Sequence, residues 1–215
     1  MIAPRVLLIN PNGTDSTGHD MAAIASDAVP SVCFDPVSTP GMAPVITTPE
    51  TLDEAAAHVA ARDIPDDVHG VIVAAFGDPG LMALRRRLAC PVVGIAEASM
   101  LRAAEGGARF SVATTTPALV GRIEQTAQRY GVADQMLPVR LTEGAPLPLM
   151  QDPELLRQAM LRAVLSCVED GAERVIIGGG PLARVARLLI AESPVPLIEP
   201  VPEAARRIAD LISGR

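Results

Sequence analysis

The chain has 215 residues, 18 of them basic and 25 acidic, for a net charge of −7, and three cysteines. Every basic residue is an arginine; without a lysine amine, pyridoxal-phosphate chemistry and lysine nucleophiles or bases are excluded. An acidic balance with no basic run argues against nucleic acid, and no apolar stretch reaches the ~18 residues of a membrane span.

Apolar runs alternate with helical stretches from the start. Residues 5–10 (RVLLIN) read as a buried strand, followed by a polar turn over 11–18 and a helix over 19–29. A second strand is expected at 32–37 and a helix at 51–62, with Glu50, Asp53 and Glu54 near its first turn, where negative charge suits the helix dipole. Residues 71–75 (VIVAA) form a strand. Pro79 then opens a helix to about residue 88, with Asp78 as its N-cap. A strand at 92–95 and a helix at 97–105 complete this half.

The pattern then restarts. A strand is expected at 109–114, a Pro117-led helix to residue 130 and a short strand at 139–141. Asp152 caps a helix over 153–169, 174–178 is a strand, and Pro181 leads a helix to residue 191. Leu197 and Ile198 lie in the last strand, and 201–212 closes the chain as a helix. Arg5 and Arg109 both begin strands and lie 104 residues apart (109 − 5), as do the runs beginning at Val71 and Val175 (175 − 71). This spacing predicts two pseudo-symmetric α/β lobes, each a parallel sheet flanked by helices, with a ligand cleft between them. The first lobe is assigned 1–97 plus 201–215, and the second 98–200.

Open α/β sheets bind ligands at the carboxyl ends of their strands, so the loops there carry the chemistry. Asn10 and Asn12 bring two amides to one such end, where they can orient a ligand or simply build a turn. Phe76 and Gly77 occupy the next loop. Thr114, Thr115 and Thr116 place three hydroxyls before a helix start, suited to a carboxylate or to capping. Gly178, Gly180 and Pro181 allow close backbone approach, without the Lys-Ser/Thr of a phosphate loop. Glu199 follows the last strand and is the best-placed carboxylate outside a cap. His19 is the histidine nearest the cleft, but more simply a surface residue. Cys33, Cys90 and Cys167 read as small packing residues away from strand carboxyl ends. With no C-x-x-C or histidine cluster, no metal site is expected. Scattered cysteines and the lack of a signal-like start point to the cytoplasm.

Ile9-Asn10-Pro11-Asn12, Phe76-Gly77-Asp78-Pro79-Gly80, the run from Pro91 to Ala98 and Thr114-Thr115 resemble the hydantoin racemases of the aspartate/glutamate racemase superfamily. The resemblance runs from Ile9 to about Ala205. It implies two facing α/β lobes, no cofactor, homo-oligomers, and action on the α-carbon of a small carboxylate or cyclic ureide. It also implies a cysteine from each lobe to remove and return the proton. At those two positions this sequence has Ala75 and Gly179, which cannot transfer one. Two expectations follow. Either a diverged enzyme uses another base, with Glu199, His19, Asp78 or bound water as candidates, or the chain is a non-catalytic small-molecule-binding homologue.

Overall fold

A computed structural model describes residues 3–214. The first sheet contains β1 (Arg5–Ile9), β2 (Cys33–Val37), β3 (Gly70–Val73) and β4 (Val92–Gly94) in the order β2-β1-β3-β4. The second contains β5 (Phe110–Thr114), β6 (Arg140–Leu141), β7 (Arg174–Ile177) and β8 (Leu197–Ile198) in the order β6-β5-β7-β8. All pairings are parallel, and the two orders are the same. The register repeats as well. Val6 pairs with Gly70 in one sheet and Phe110 with Arg174 in the other, both partners displaced by 104 (110 − 6, 174 − 70). At the outer pair, Val71↔Val92 becomes Val175↔Leu197, so a single residue has been inserted before β8.

Buried parallel strands need apolar side chains on both faces, and both sheets have them. Val6, Leu8, Ile72 and Val93 pack on one side of the first sheet; Leu7, Ile9, Val71 and Val73 pack on the other. In the second sheet Val175 and Ile177 face one cluster, and Phe110, Val112 and Ile176 face another. The helices that cover these faces are α1 (Asp15–Ala28), α2 (Pro49–Ala61), α3 (Leu81–Arg87), α4 (Ile95–Ala103), α5 (Val120–Arg129), α6 (Pro146–Gln151), α7 (Pro153–Glu169), α8 (Ala183–Leu189) and α9 (Pro200–Ser213). Although α9 follows the last strand of the second sheet, it packs on α4, α1, β3 and β4, burying Val201, Ala204, Ala205 and Ile208 in the first lobe's core. Helix α4 in turn touches β7, β8 and α5, joining the lobes.

Several elements differ from expectation. Helix α1 starts at Asp15, earlier than expected, because the polar residues 15–18 already lie on helix. Residues 146–151, to which no element was assigned, form α6 behind Pro146 at its first turn. Pro117 and Pro181 each lead a short 3₁₀ turn, and the α-helix begins after it. Helix α4 begins at Ile95, immediately after β4. Asp152 does cap α7, accepting from the N–H groups of Glu154 (3.1 Å) and Leu155 (3.0 Å). Asp78, however, is not an N-cap. Gly80, with φ +76°, holds that position ahead of α3, and Asp78 itself takes a left-handed φ of +53°. Its side chain is thereby directed away from α3 and caps a different helix.

Candidate functional site

The loops after β1, β3, β5 and β7 converge between the lobes around a cavity of about 50 Å³. The first lobe contributes Asn12, Ala75 and Phe76 to its lining; the second contributes Thr114, Thr115, Thr116 and the run Gly178–Pro181. Val45, Ile46 and Leu52 add apolar surface from one side, and Leu119, Ile123, Met150 and Leu182 from the other. None of the lining residues is an acid, a base, a cysteine or a tyrosine. The site is therefore electrically neutral.

Its polarity comes from hydroxyls, an amide and backbone. Thr114 Oγ1 donates to the Gly178 carbonyl (2.8 Å), tying the ends of β5 and β7, and lies 3.3 Å from Thr116 Oγ1. The hydroxyl of Thr115 is buried without a partner, as is Asn12 Oδ1. A buried polar atom left unpaired costs about 1–3 kcal/mol, and of the buried side-chain atoms without a protein partner these two belong to cavity-lining residues.

The remaining expected residues lie elsewhere. Asn10 does not line the cavity; its amide donates to the Thr14 carbonyl (2.9 Å), and its Oδ1 accepts from the Asn12 N–H (3.2 Å), shaping the loop that presents Asn12. Gly77 faces a separate crevice with Asp78 and Arg122. His19 is exposed on α1, with Nδ1 2.9 Å from the Asp15 carbonyl, and does not line the cavity. Glu199 also sits apart from the cavity lining, at the N-cap position of α9. Burial raises its pKa, opposed by Arg187, whose Nε is 3.6 Å away. Glu199 follows β8, an edge strand, whereas the cavity is flanked by the ends of β5 and β7. None of the three cysteines lines the cavity either. Cys33 is exposed, Cys90 is half-buried and Cys167 is buried in the second lobe's core.

Behind the Ala75–Gly77 loop lies a buried ionic network that sequence reasoning missed. The Asp78 carboxylate accepts from the N–H groups of Ala96 (2.9 Å) and Glu97 (2.7 Å) at the start of α4, and from the Tyr130 hydroxyl (2.7 Å) of the second lobe. Burial pushes the Asp78 pKa up to about 6, against these three hydrogen bonds. Tyr130 is raised well above its usual range by burial and by the nearby Asp78 charge. Glu97 is paired with Arg85 by two hydrogen bonds, of 2.6 and 3.0 Å. Gly94 makes the arrangement possible, since a Cβ there would fall 2.1 Å from Asp78 Cγ. The one available signal was composition: Tyr130 is the chain's sole tyrosine.

Residues 6–208 match the family described as Asp/Glu/Hydantoin racemase. The chain belongs to this family. It is 31% identical to the hydantoin racemase of Paenarthrobacter aurescens over 96% of this chain and 89% of that protein. It is 32% identical to the hydantoin racemase of Pseudomonas sp. strain NS671 over 92% of this chain and 81% of the relative. Among solved structures, the allantoin racemase from Klebsiella pneumoniae superposes with a TM-score of 0.88 at 28% identity, covering 98% of this chain and 88% of that one. The two-lobe α/β fold of racemases is thus this chain's fold. Within the described residues no group of three or more His, Cys, Asp or Glu is arranged to hold a metal ion, and no helix is long and apolar enough to cross a membrane.

Ala75 and Gly179 both line the cavity, one from each lobe. The backbone at Gly179 has φ +150°, a conformation L side chains rarely adopt. The adjacent glycines are constrained by packing instead. A Cβ on Gly178 would fall 2.6 Å from Val112 Cγ1, and one on Gly180 2.8 Å from Met21 Sδ. The whole loop is shaped for residues without side chains.

Proposed function

We propose that the chain binds a small, uncharged cyclic ureide between its lobes and does not racemise it through a pair of thiols. The observation that carries this reading is the neutral cavity lining, in which the Thr115 hydroxyl and Asn12 Oδ1 are buried side-chain atoms without a protein partner. A hydroxyl that can donate and an amide oxygen that accepts complement a ring bearing a carbonyl beside an N–H. A carboxylate fits less well, because among the described residues no arginine lines the cavity to offset its charge. Proton transfer at an α-carbon needs a base within about 3 Å, and neither Ala75 nor Gly179 supplies one. Membership of a racemase family and similarity to a named allantoin racemase support the ureide class.

The test is calorimetric titration with hydantoin, allantoin and glutamate, with α-carbon deuterium exchange followed by NMR in deuterated water. Binding of the ureides without exchange supports the reading. Exchange that disappears in Glu199→Gln would instead establish a diverged enzyme with Glu199 as its base.

A further inference from the structure

The Phe76 wall of the cavity belongs to both lobes. Its backbone lies in the loop after β3, in the first lobe, while its ring packs on the second lobe's cluster of Phe110, Val112, Ile123 and Ile176. The ring also runs beside the loop after β7, since a Cβ on Gly178 would lie 3.5 Å from Phe76 Cδ1 and Cε1. Two residues on, the same loop reaches the second lobe again, where Asp78 accepts from the Tyr130 hydroxyl (2.7 Å). One loop is thus fastened across the interface at two points, an apolar one and a polar one, with Gly77 at φ +109° between them.

The polar fastening is held in place by its surroundings. Asp78 is the one non-glycine residue with a positive φ among those described, and such a backbone persists only where neighbouring structure over-determines it. Here the neighbours are the Ala96 and Glu97 N–H groups, the Tyr130 hydroxyl and the space left by Gly94. Asp78 is 2% exposed, yet a crevice of about 120 Å³ lies against its loop. Releasing the loop from α5 therefore hydrates the carboxyl. The charges around it are largely committed to one another. Glu97 of α4 is paired with Arg85 of α3, and Arg122 of α5 with Asp53 of α2, while Arg129 of α5 lines the crevice beside Tyr130. Burial, and to a lesser degree Glu97, oppose a charge on Asp78; the three hydrogen bonds favour it, and burial outweighs them.

We propose that Asp78 is a proton-responsive tie between the lobes: carrying a proton it keeps its loop seated and Phe76 in the cavity wall, and once ionised it lets the loop lift from α5 toward water. A cavity whose lining does not titrate thus acquires a pH response from a residue outside it. The sign follows from linkage. The carboxyl holds its proton up to about pH 6 in the seated loop, against 3.8 for the ordinary group, so the seated form gains as pH falls through that window and loses as it rises. Across the whole window the ratio of lifted to seated forms changes by at most about a hundredfold.

The test is native-state hydrogen exchange of ¹⁵N-labelled protein from pH 4.5 to 7, corrected for the intrinsic rate, which reads an open form even where it is rare. The Ala96 and Glu97 amides report the tie, and Ile72 and Ile176, in the central strands β3 and β7, report global unfolding. The open fraction at Ala96 and Glu97 should exceed that at the strands, be insensitive to low denaturant, and rise about twentyfold between pH 4.5 and 7. Asp78→Asn, which retains every histidine, should abolish the rise. Tyr130→Phe should enlarge the open fraction and move its midpoint to higher pH. Phe76→Ala removes the apolar fastening of the same loop, so the open fraction at Ala96 and Glu97 should grow about tenfold or more at every pH. The proposal is overturned if these two amides exchange only together with the strands, or if their open fraction does not change with pH. It is equally overturned if the rise persists in Asp78→Asn, or if Phe76→Ala leaves the two amides unmoved. Should Asp78→Asn not fold, wild type and Tyr130→Phe decide between the same outcomes.

Discussion

Removing the Asp78 carboxylate should destabilise the protein in a pH-dependent way whose sign is unusual for an acid with three hydrogen bonds. Asp78→Ala strands three donors: the N–H groups of Ala96 and Glu97 and the hydroxyl of Tyr130. At ~1–1.5 kcal/mol for each unpaired group, the loss is about 4 kcal/mol while the carboxyl is protonated. Its pKa in the folded protein is about 6, against 3.8 for the ordinary group. Between those values the native state holds a proton that the unfolded chain has released, so the group's contribution falls as pH rises through that window. The fall amounts to roughly 2–3 kcal/mol, and it vanishes with the carboxylate. The cost of Asp78→Ala should therefore shrink from about 4 kcal/mol near pH 4 to ~1–2 kcal/mol near pH 8. Urea unfolding of both proteins, followed by circular dichroism across that range, measures the difference. A cost that stays constant, or grows toward pH 8, would refute the argument that burial outweighs hydrogen bonding at this carboxylate.

Four further outcomes follow from other contacts. Tyr130→Phe removes the donor from the second lobe that favours the ionised Asp78, so stability should drop by ~1 kcal/mol and the Asp78 titration should move to higher pH in carbonyl-carbon NMR. Arg85→Met leaves Glu97, only 6% exposed, without its partner; a loss of ~3 kcal/mol is expected in thermal denaturation, most of it recovered on adding Glu97→Met. Thr115→Val removes a buried hydroxyl that has no protein partner, so the melting temperature should hold or rise while hydantoin affinity falls about tenfold by calorimetry. Gly13→Ala would put a Cβ 2.2 Å from the Met42 carbonyl oxygen, and the forced shift of the 39–46 loop should cost ~1–3 kcal/mol in denaturant titration.

The strands were legible because parallel strands buried on both faces are written as continuous apolar runs, as in Val71–Val73 and Val175–Ile177. The 104-residue offset also survived, down to the pairing of individual residues. Strand order is not written in this way. Glu199 and Thr114 both follow strands, yet β5 and β7 flank the cavity while β8 is an edge, and only the folded topology separates them. Asp78 was misread because a carboxylate before Pro79 has the residue pattern of an N-cap. A left-handed backbone at that residue depends on the glycines around it and on the empty space at Gly94, sixteen residues further on (94 − 78). Helix α6 is hard to read because PLPLMQ is short and carries two prolines, although Pro146 needs no hydrogen-bonded N–H in the first turn. Asn12, Phe76, Thr114–Thr116 and Gly178, Gly180 and Pro181 sit in loops at strand carboxyl ends, a position readable from the strand pattern, and they line the cavity.

The return of α9 to the first lobe bears on the order of folding. Val6, Leu8, Ile72 and Val93 share their core with Val201, Ala204, Ala205 and Ile208. On a ribosome, that face of the first sheet would be covered only by α1 and α4 until more than a hundred further residues had been made. The second lobe, with its four strands and α7 contiguous between residues 110 and 198, can assemble first. The half that begins the chain is thus the half whose core is completed last, by the C-terminal helix α9.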